Sequence, residues 1–191
     1  MTEFFNDLAS RVASHGGKFN AHLHIDRVNT YRQTLELLAL SDNSGSSLSL
    51  ATKHGIIPKI HESSAYDTQA LKERVKNSLL LMASNGTTRA DSVIDVTDDR
   101  VQLSALDALL EVKEEVADKI DFRLGVYNPF GFSRDKPWRW RLFEQGAQRA
   151  DFIGALPERD DQHDYPDHIG FKQSIKEALA LSFDTKKPIH I

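Results

Sequence analysis

Two histidines, His22 and His24, form the sharpest chemical feature of the sequence. They lie in the segment KFNAHLHID, where apolar and polar residues alternate with the period of a β-strand. On a strand, residues i and i+2 point to the same face and lie roughly 6.6 Å apart along the chain. Two imidazoles placed in this way can bind one metal ion, at about 2.0–2.1 Å each. Two ordinary histidines at a strand end are the alternative interpretation.

The histidine pair needs a strand to position it, and the chain predicts a regular alternation of strands and helices. Strands are predicted at residues 18–26, 87–96, 120–126, 151–156 and 187–191. Helices are predicted at residues 3–13, 30–39, 69–84, 101–117, 137–149 and 171–183. Residues 41–49 are rich in Ser, Asn and Gly, which predicts a loop that continues irregularly to about residue 64.

This alternation predicts a parallel sheet with right-handed helical crossovers. An open doubly wound sheet and a (β/α)₈ barrel both satisfy it. Neither a G-x-G-x-x-G nor a G-x-x-x-x-G-K-[ST] motif occurs, so the usual phosphate-binding reasons for an open sheet are absent. In such folds the active site lies at the carboxyl ends of the strands, where His24 falls. A polar row on a buried parallel strand is costly unless it serves a site.

Composition excludes several classes of site. The 191 residues include 24 Lys and Arg, 28 Asp and Glu, and no Cys, with a formal net charge of −4. The lack of Cys excludes disulfides, Cys-ligated zinc or iron–sulfur centres, and the zinc deaminases that need Cys ligands. The absence of a basic block argues against nucleic acid as a partner. No apolar run approaches the roughly 20 residues of a membrane span, and without an export signal a cytoplasmic protein is expected.

Beyond the histidine pair, longer segments resemble a known family. The segment NAHLHID resembles the first-strand metal motif of the amidohydrolase superfamily, and the rest resembles its cytosine deaminase-like branch. The later segments that carry this resemblance, in order, are GTTRADSVIDVTDD, ALDALLEVKEEVADKIDFRLGVYNPFGF, ADFIGALPERDD and KKPIHI. Each is modest alone, but their order is specific, and the resemblance runs from about Lys18 to Ile191.

The resemblance implies an α/β fold of the (β/α)₈ TIM-barrel type, with residues 1–17 as an N-terminal helix and 18–191 as the first half-barrel, ending in strand 5. It implies a metal-dependent hydrolase that deaminates or hydrolyses a small N-heterocycle or cyclic amide through a metal-activated water. His22 and His24 match ligands of Zn²⁺ or Fe²⁺ in this family. The fifth-strand His ligand and the catalytic residues are expected beyond Ile191, with His190 as an alternative ligand, so the chain alone is expected to be inactive.

Four other residues are candidates for the site, two from the same resemblance and two from their positions at strand ends. Family members that act on cytosine carry a Gln after the third strand. Here Phe130 stands at about that position with Asn128 nearby, so these two residues are expected to contact the substrate, and cytosine itself is not favoured. Asp26 and Asp95 are expected to orient residues of the metal site, although Asp95 could instead be a solvated or capping carboxylate.

Two other functions remain as alternatives. TatD-like metal-dependent nucleases also open with H-x-H and an acidic residue. The chain could also be a non-catalytic half-barrel that assembles with another chain, since an open sheet edge tends to pair. A homo-oligomer formed through that edge is therefore expected. The remaining histidines of the long loops are expected to be surface residues: His54, His61, His163 and His168.

Overall fold

The computed structural model describes residues 2–38 and 50–191, and within them one parallel sheet follows the order of the chain. Its strands are β1 (Lys18–Leu23), β2 (Thr87–Asp95), β3 (Asp121–Tyr127), β4 (Phe152–Gly154) and β5 (Ile189–His190). A doubly wound sheet reverses its strand order at a switch point, whereas a barrel adds each strand beside the last. The consecutive order therefore decides between the two architectures, and the predicted α/β half-barrel of TIM type is confirmed.

Helices lie between the strands, mostly where the sequence predicts them. They are α1 (Glu3–Ser14), α2 (Tyr31–Leu38), α3 (Leu50–Glu62), α4 (Thr68–Ser84), α5 (Ser104–Glu115), α6 (Pro137–Arg149) and α7 (Phe171–Thr185). Short 3₁₀ turns occupy Ile25–Arg27, Ser64–Tyr66 and Pro157–Asp160. No helix of the described ranges is both long enough and apolar enough to cross a membrane. The loop predicted at 41–49 lies outside the described residues.

Helix α3 corrects the prediction of an irregular segment up to residue 64. It continues through Pro58, although a proline inside a helix removes a hydrogen bond and costs about 3 kcal/mol. Three isoleucines on α3 are buried in the core: Ile56, Ile57 and Ile60. Burying each one contributes about 1.5–3 kcal/mol, so their packing outweighs the cost of the proline.

The main core lies between the sheet and the helices. Helix α4 contributes Leu71, Val75 and Leu79, which are spaced by one helical turn and are at most 1% exposed. The sheet contributes one face of its strands, including Ile94, Leu124, Val126 and Ile153. A second, smaller apolar cluster of Val93, Tyr127 and Phe152 lies apart from it. Because alternate residues of a strand point to opposite faces, this cluster occupies the concave face of the half-barrel.

Close packing on the concave face requires a glycine in β3. A Cβ atom on Gly125 would lie 2.2 Å from the ring of Phe152 in the neighbouring strand, far inside contact distance. The missing side chain lets that ring lie across β3. On the concave face, the ring of Phe152 therefore packs directly on the backbone of β3 at Gly125.

Strand β1 ends earlier than predicted, at Leu23 and not at residue 26. The backbone N–H of Ile25 donates to the hydroxyl of Ser92 at 2.9 Å, so the chain leaves the sheet ladder there. The 3₁₀ turn Ile25–Arg27 follows at once. The second histidine of the pair thus lies at the junction between the strand and this turn.

Candidate active site

His22 and His24 lie side by side at the carboxyl end of β1. Their ring centroids are 5.3 Å apart, with the ring planes at 78°. The ring of His24 also lies 5.1 Å from that of Tyr127, which is part of the concave cluster. His22 is exposed and His24 is half-buried. The structure therefore brings the two predicted ligands together on the concave face.

The chemistry of His24 fits a metal ligand. Its Nδ1 atom is buried and has no hydrogen-bond partner within the described residues. Burial, assisted by the positive charge of Arg27, lowers the pKa of His24 to about 4. The ring is therefore neutral at pH 7, and a neutral imidazole is the form that binds metals. Among residues 2–38 and 50–191, however, no group of three or more His, Asp or Glu side chains is arranged to hold an ion.

The 3₁₀ turn that follows His24 is held by polar contacts to its neighbours. The guanidinium of Arg74, on α4, donates to the backbone carbonyls of Asp26 and Val28. The side chain of Asp26 accepts a hydrogen bond from the backbone N–H of Asp95 at 3.0 Å. The turn is therefore fixed both to α4 and to the end of β2.

Asp95 lies at the centre of this arrangement and is fully buried. Its Oδ2 atom is within hydrogen-bond distance of Arg27 Nε at 2.8 Å, His61 Nε2 at 3.0 Å and the Tyr66 hydroxyl at 3.2 Å. Arg27 also donates to Oδ1 at 2.5 Å. Burial alone would raise the pKa of Asp95, but Arg27 and His61 hold it well below its usual range. Asp95 is thus a buried carboxylate, ionised and surrounded by donors, and not a solvated one.

Asp26 is the second fully buried carboxyl group of the network. The hydroxyl of Tyr66 donates to it at 3.0 Å. Burial and the neighbouring negative charge of Asp95 raise the pKa of Asp26 to about 6. The structure therefore brings Asp26 and Asp95 together in one buried network, which begins two residues after His24.

His61 is the member of the network that the sequence did not identify. It lies in the last turn of α3 and is fully buried, so the predicted surface position is wrong. Its Nδ1 atom is 2.6 Å from Asp99 and its Nε2 atom 3.0 Å from Asp95. Burial would lower the pKa of His61, but these two carboxylates raise it to about 9. The ring is therefore an imidazolium that donates to both carboxylates at neutral pH.

The sequence signal for His61 depends on recognising α3. His61 lies four residues after Ile57, on the same face of that helix, but the sequence predicts this segment as an irregular continuation of the preceding loop. His54 is also on α3 and half-buried, so its predicted loop position is wrong as well. His163 is exposed, whereas His168 is half-buried and lies 3.1 Å from the carboxylate of Asp160.

Asn128 and Phe130 lie just beyond the end of β3, next to the network. The side-chain oxygen of Asn128 accepts from the backbone N–H of Phe130 at 2.9 Å, which stabilises the turn between them. The amide nitrogen Nδ2 of Asn128 is buried and has no partner among the described residues. The ring of Phe130 lies 5.9 Å from that of His61. Their contact with a substrate stays a prediction.

The alternative ligand, His190, lies at the other edge of the described sheet, in β5. Its ring is 4.3 Å from that of Phe152, at an angle of 32°. His190 thus joins the concave face through the same aromatic cluster that contacts His24.

Comparison with known proteins gives relatives in both sequence and structure. No family model matches the sequence. A protein of Haemophilus influenzae (strain ATCC 51907 / DSM 11121 / KW20 / Rd), described as uncharacterized, is 28% identical over 159 residues. The match covers 81% of this chain and 52% of that protein, so the chain spans about half the length of the curated relative.

Similar solved structures include two enzymes from bacteria. 5-Methylcytosine deaminase from Klebsiella pneumoniae, liganded with phosphonocytosine, has a TM-score of 0.71 and 22% identity, over 88% of this chain and 37% of that enzyme. N-isopropylammelide isopropylaminohydrolase from Burkholderia multivorans ATCC 17616 has a TM-score of 0.62 and 16% identity. This match covers 91% of the present chain and 39% of that enzyme. In its fold, the chain is therefore similar to part of these two enzymes, and this similarity agrees with the fold that the motif resemblance implies.

Proposed function

We propose that this chain forms the first half of the catalytic barrel of a metal-dependent hydrolase that acts on C–N bonds. The observation that carries the proposal is the pair of adjacent rings of His22 and His24, one of which is neutral and has a buried nitrogen without a partner. The similarity in fold to a deaminase and an aminohydrolase supports this reaction class. A small N-heterocycle or cyclic amide is the proposed substrate.

His22 and His24 would hold the ion, Zn²⁺ or Fe²⁺. A divalent ion in such a site lowers the pKa of bound water toward 7. Asp26 and Asp95 would keep the turn after the pair in place. The small buried cluster of Val93, Tyr127 and Phe152 would support the concave side of the site and exclude water there. Asn128 and Phe130 would contact the substrate from the end of β3.

The first experiment measures metal binding. The purified 191-residue chain is equilibrated with Zn²⁺ or Fe²⁺, desalted and analysed for metal content. We expect the wild type to retain metal, and His24→Ala and His22→Ala to lose it because each removes one of two ring ligands. His163→Ala, at an exposed histidine outside the site, is the matched control and is expected to retain metal. Equal metal content in His24→Ala and the wild type would overturn the proposal.

The same preparations separate the alternative activities. Ammonia release from cyclic amidines and cleavage of DNA are assayed with added metal. Because two histidines do not complete a hydrolytic site, the chain alone is expected to be inactive in both assays. Metal-dependent cleavage of DNA that is lost in His24→Ala would favour the TatD-like nuclease over the C–N hydrolase.

The chain is also proposed to associate with a second copy through its open sheet edges. Strands β1 and β5 are the edges of the described sheet. Large apolar side chains are exposed on the first and last described helices, among them Phe4 (68%) and Phe183 (84%). Such surfaces and unpaired strand edges favour association.

Light scattering after size-exclusion chromatography is therefore expected to give a dimer at micromolar concentration. Phe183→Asp is expected to shift the equilibrium toward monomer by placing a charge in the contact. The control is Trp138→Asp, at a 52% exposed ring of α6, the helix that connects the inner strands β3 and β4. A folded wild-type monomer at all concentrations would contradict self-association.

A further inference from the structure

We propose that His61 is a positioning residue for the His22–His24 pair and acts through Asp95 and the 3₁₀ turn Ile25–Arg27. This inference rests on the proposed function, since it concerns the same pair of ligands. His61 comes from α3, an element outside the strands and turns that carry the pair, and its ring is fully buried.

The first step is the contact between His61 and Asp95. The imidazole lies between two carboxylates, with Nδ1 2.6 Å from Asp99 and Nε2 3.0 Å from Asp95. Two neighbouring rings pack against the imidazole of His61. The centroid of its ring lies 4.6 Å from that of Tyr66 and 5.9 Å from that of Phe130. Because both ring nitrogens are engaged by carboxylates, His61 is held as a donor to Asp95 and is not available as a ligand.

The second step connects Asp95 to the turn. Its carboxylate receives the guanidinium of Arg27, the last residue of the turn, from both Nε and a terminal nitrogen. Its backbone N–H donates to the side chain of Asp26, the middle residue of the turn. Paired hydrogen bonds from a guanidinium fix direction as well as distance. A displacement of the Asp95 carboxylate therefore acts on Arg27 directly, whereas the backbone of Asp95 holds Asp26.

The third step connects the turn to the ligand. The backbone N–H of Arg27 donates to the carbonyl of His24 at 3.1 Å, which closes the turn on that residue. On the other side, the N–H of Ile25 is held by Ser92. His24 has no hydrogen bond at Nδ1 within the described residues, so its ring is positioned by the backbone of the turn and by contact with the rings of His22 and Tyr127. Partners that hydrogen-bond a ligating ring directly typically change metal affinity by about 10–100-fold, and His61 acts less directly, through Asp95 and the turn.

The test compares His61→Leu, which fills the space without donors, with His61→Gln, which keeps one donor. The dissociation constant for Co²⁺ or Zn²⁺ is measured by competition with a chelating dye, and the Co²⁺ absorption spectrum reports ligand geometry. We expect the constant to rise by up to about 10-fold in His61→Leu, at the lower end of the range for direct partners, and less in His61→Gln, with a changed Co²⁺ spectrum. His163→Leu is the matched control and is expected to leave both unchanged.

Further measurements separate positioning from general loss of structure. Circular dichroism and thermal unfolding establish which variants are folded, and His61→Gln serves if His61→Leu is not. If His61 acts through Asp95, His61→Gln should weaken metal binding much less in an Asp95→Asn background than in the wild type. Folded His61 variants with the wild-type constant and spectrum would overturn the inference.

The proposed function and this inference can fail separately. The ¹⁵N resonances of the His24 ring are recorded in the metal-free chain, where no ligation contributes. A shift of the His24 resonances in His61→Gln supports the positioning role whether or not the wild type binds metal. A wild type that binds no metal would overturn only the proposed function. If the wild type binds metal but the His24 resonances are the same in His61→Gln as in the wild type, only the positioning role is contradicted.

Discussion

Replacing Asp95 by Ala is expected to lower the free energy of unfolding by about 3–5 kcal/mol. The substitution removes the carboxylate that faces the Arg27 guanidinium and the His61 imidazolium, and leaves two cationic groups in the interior without their common partner. It also leaves the hydroxyl of Tyr66 with one acceptor fewer. Urea unfolding followed by circular dichroism at pH 7 measures the change.

The control for this prediction is an Asp→Ala substitution at an exposed ion pair. Asp67 lies 2.5 Å from Arg100, with side chains that are 59% and 39% exposed. Solvent screens such pairs, so Asp67→Ala is expected to cost about 1 kcal/mol or less. Asp95→Asn, which keeps the shape and part of the hydrogen bonding, should fall between the two. Equal losses at positions 95 and 67 would show that the network contributes nothing beyond a surface pair.

Raising the pH from 6.5 to 9 is expected to destabilise the chain by on the order of 3 kcal/mol through His61 alone. The pKa of His61 is raised from 6.5 to about 9 in the folded chain, because the carboxylates of Asp95 and Asp99 outweigh the effect of burial. Between these two values the folded state holds a proton that the unfolded state has lost. The contribution is therefore fully present below pH 6.5 and is lost as the pH rises through 9.

Urea unfolding at half-unit steps from pH 6 to 9.5 measures this slope. His61→Gln is expected to flatten it, whereas His163→Gln, at an exposed histidine, is expected to leave it unchanged. His24 does not interfere, because its lowered pKa of about 4 makes its contribution fall only as the pH drops below 6.5. The same alkaline slope in His61→Gln as in the wild type would assign the effect to other groups.

Much of the fold could be predicted because its signals are local. The apolar spacing of α4 and the alternation in β3 appear within single elements, so their boundaries were predicted within a few residues. The choice between open sheet and barrel was not local, since it depends on which strands pair. Helix α3 was missed because the penalty for Pro58 is visible in the sequence, whereas the tertiary packing that offsets it is not.

The site divides in the same way. His22 and His24 were recognisable because two residues on one strand carry their own geometry. The partners of Asp95 were not, because its contact with His61 joins residues 34 positions apart on different elements. Both buried carboxyl groups were assigned roles near the pair, but what holds them there comes from α3 and the turn that follows it.

The attachment of β1 also determines when the site can form during folding. Strand β1 pairs with β2, and the hydroxyl of Ser92 reaches the carbonyl of Leu23 across 69 positions of the chain. The other neighbouring strands pair over roughly half that separation, and each doubling of a loop adds about 0.6 kcal/mol of closure entropy. Pairing of β1 with β2 therefore has the largest entropic cost of loop closure among the strand pairs of the described sheet. We expect the two imidazoles to be ordered late, on a scaffold whose other strands have already assembled.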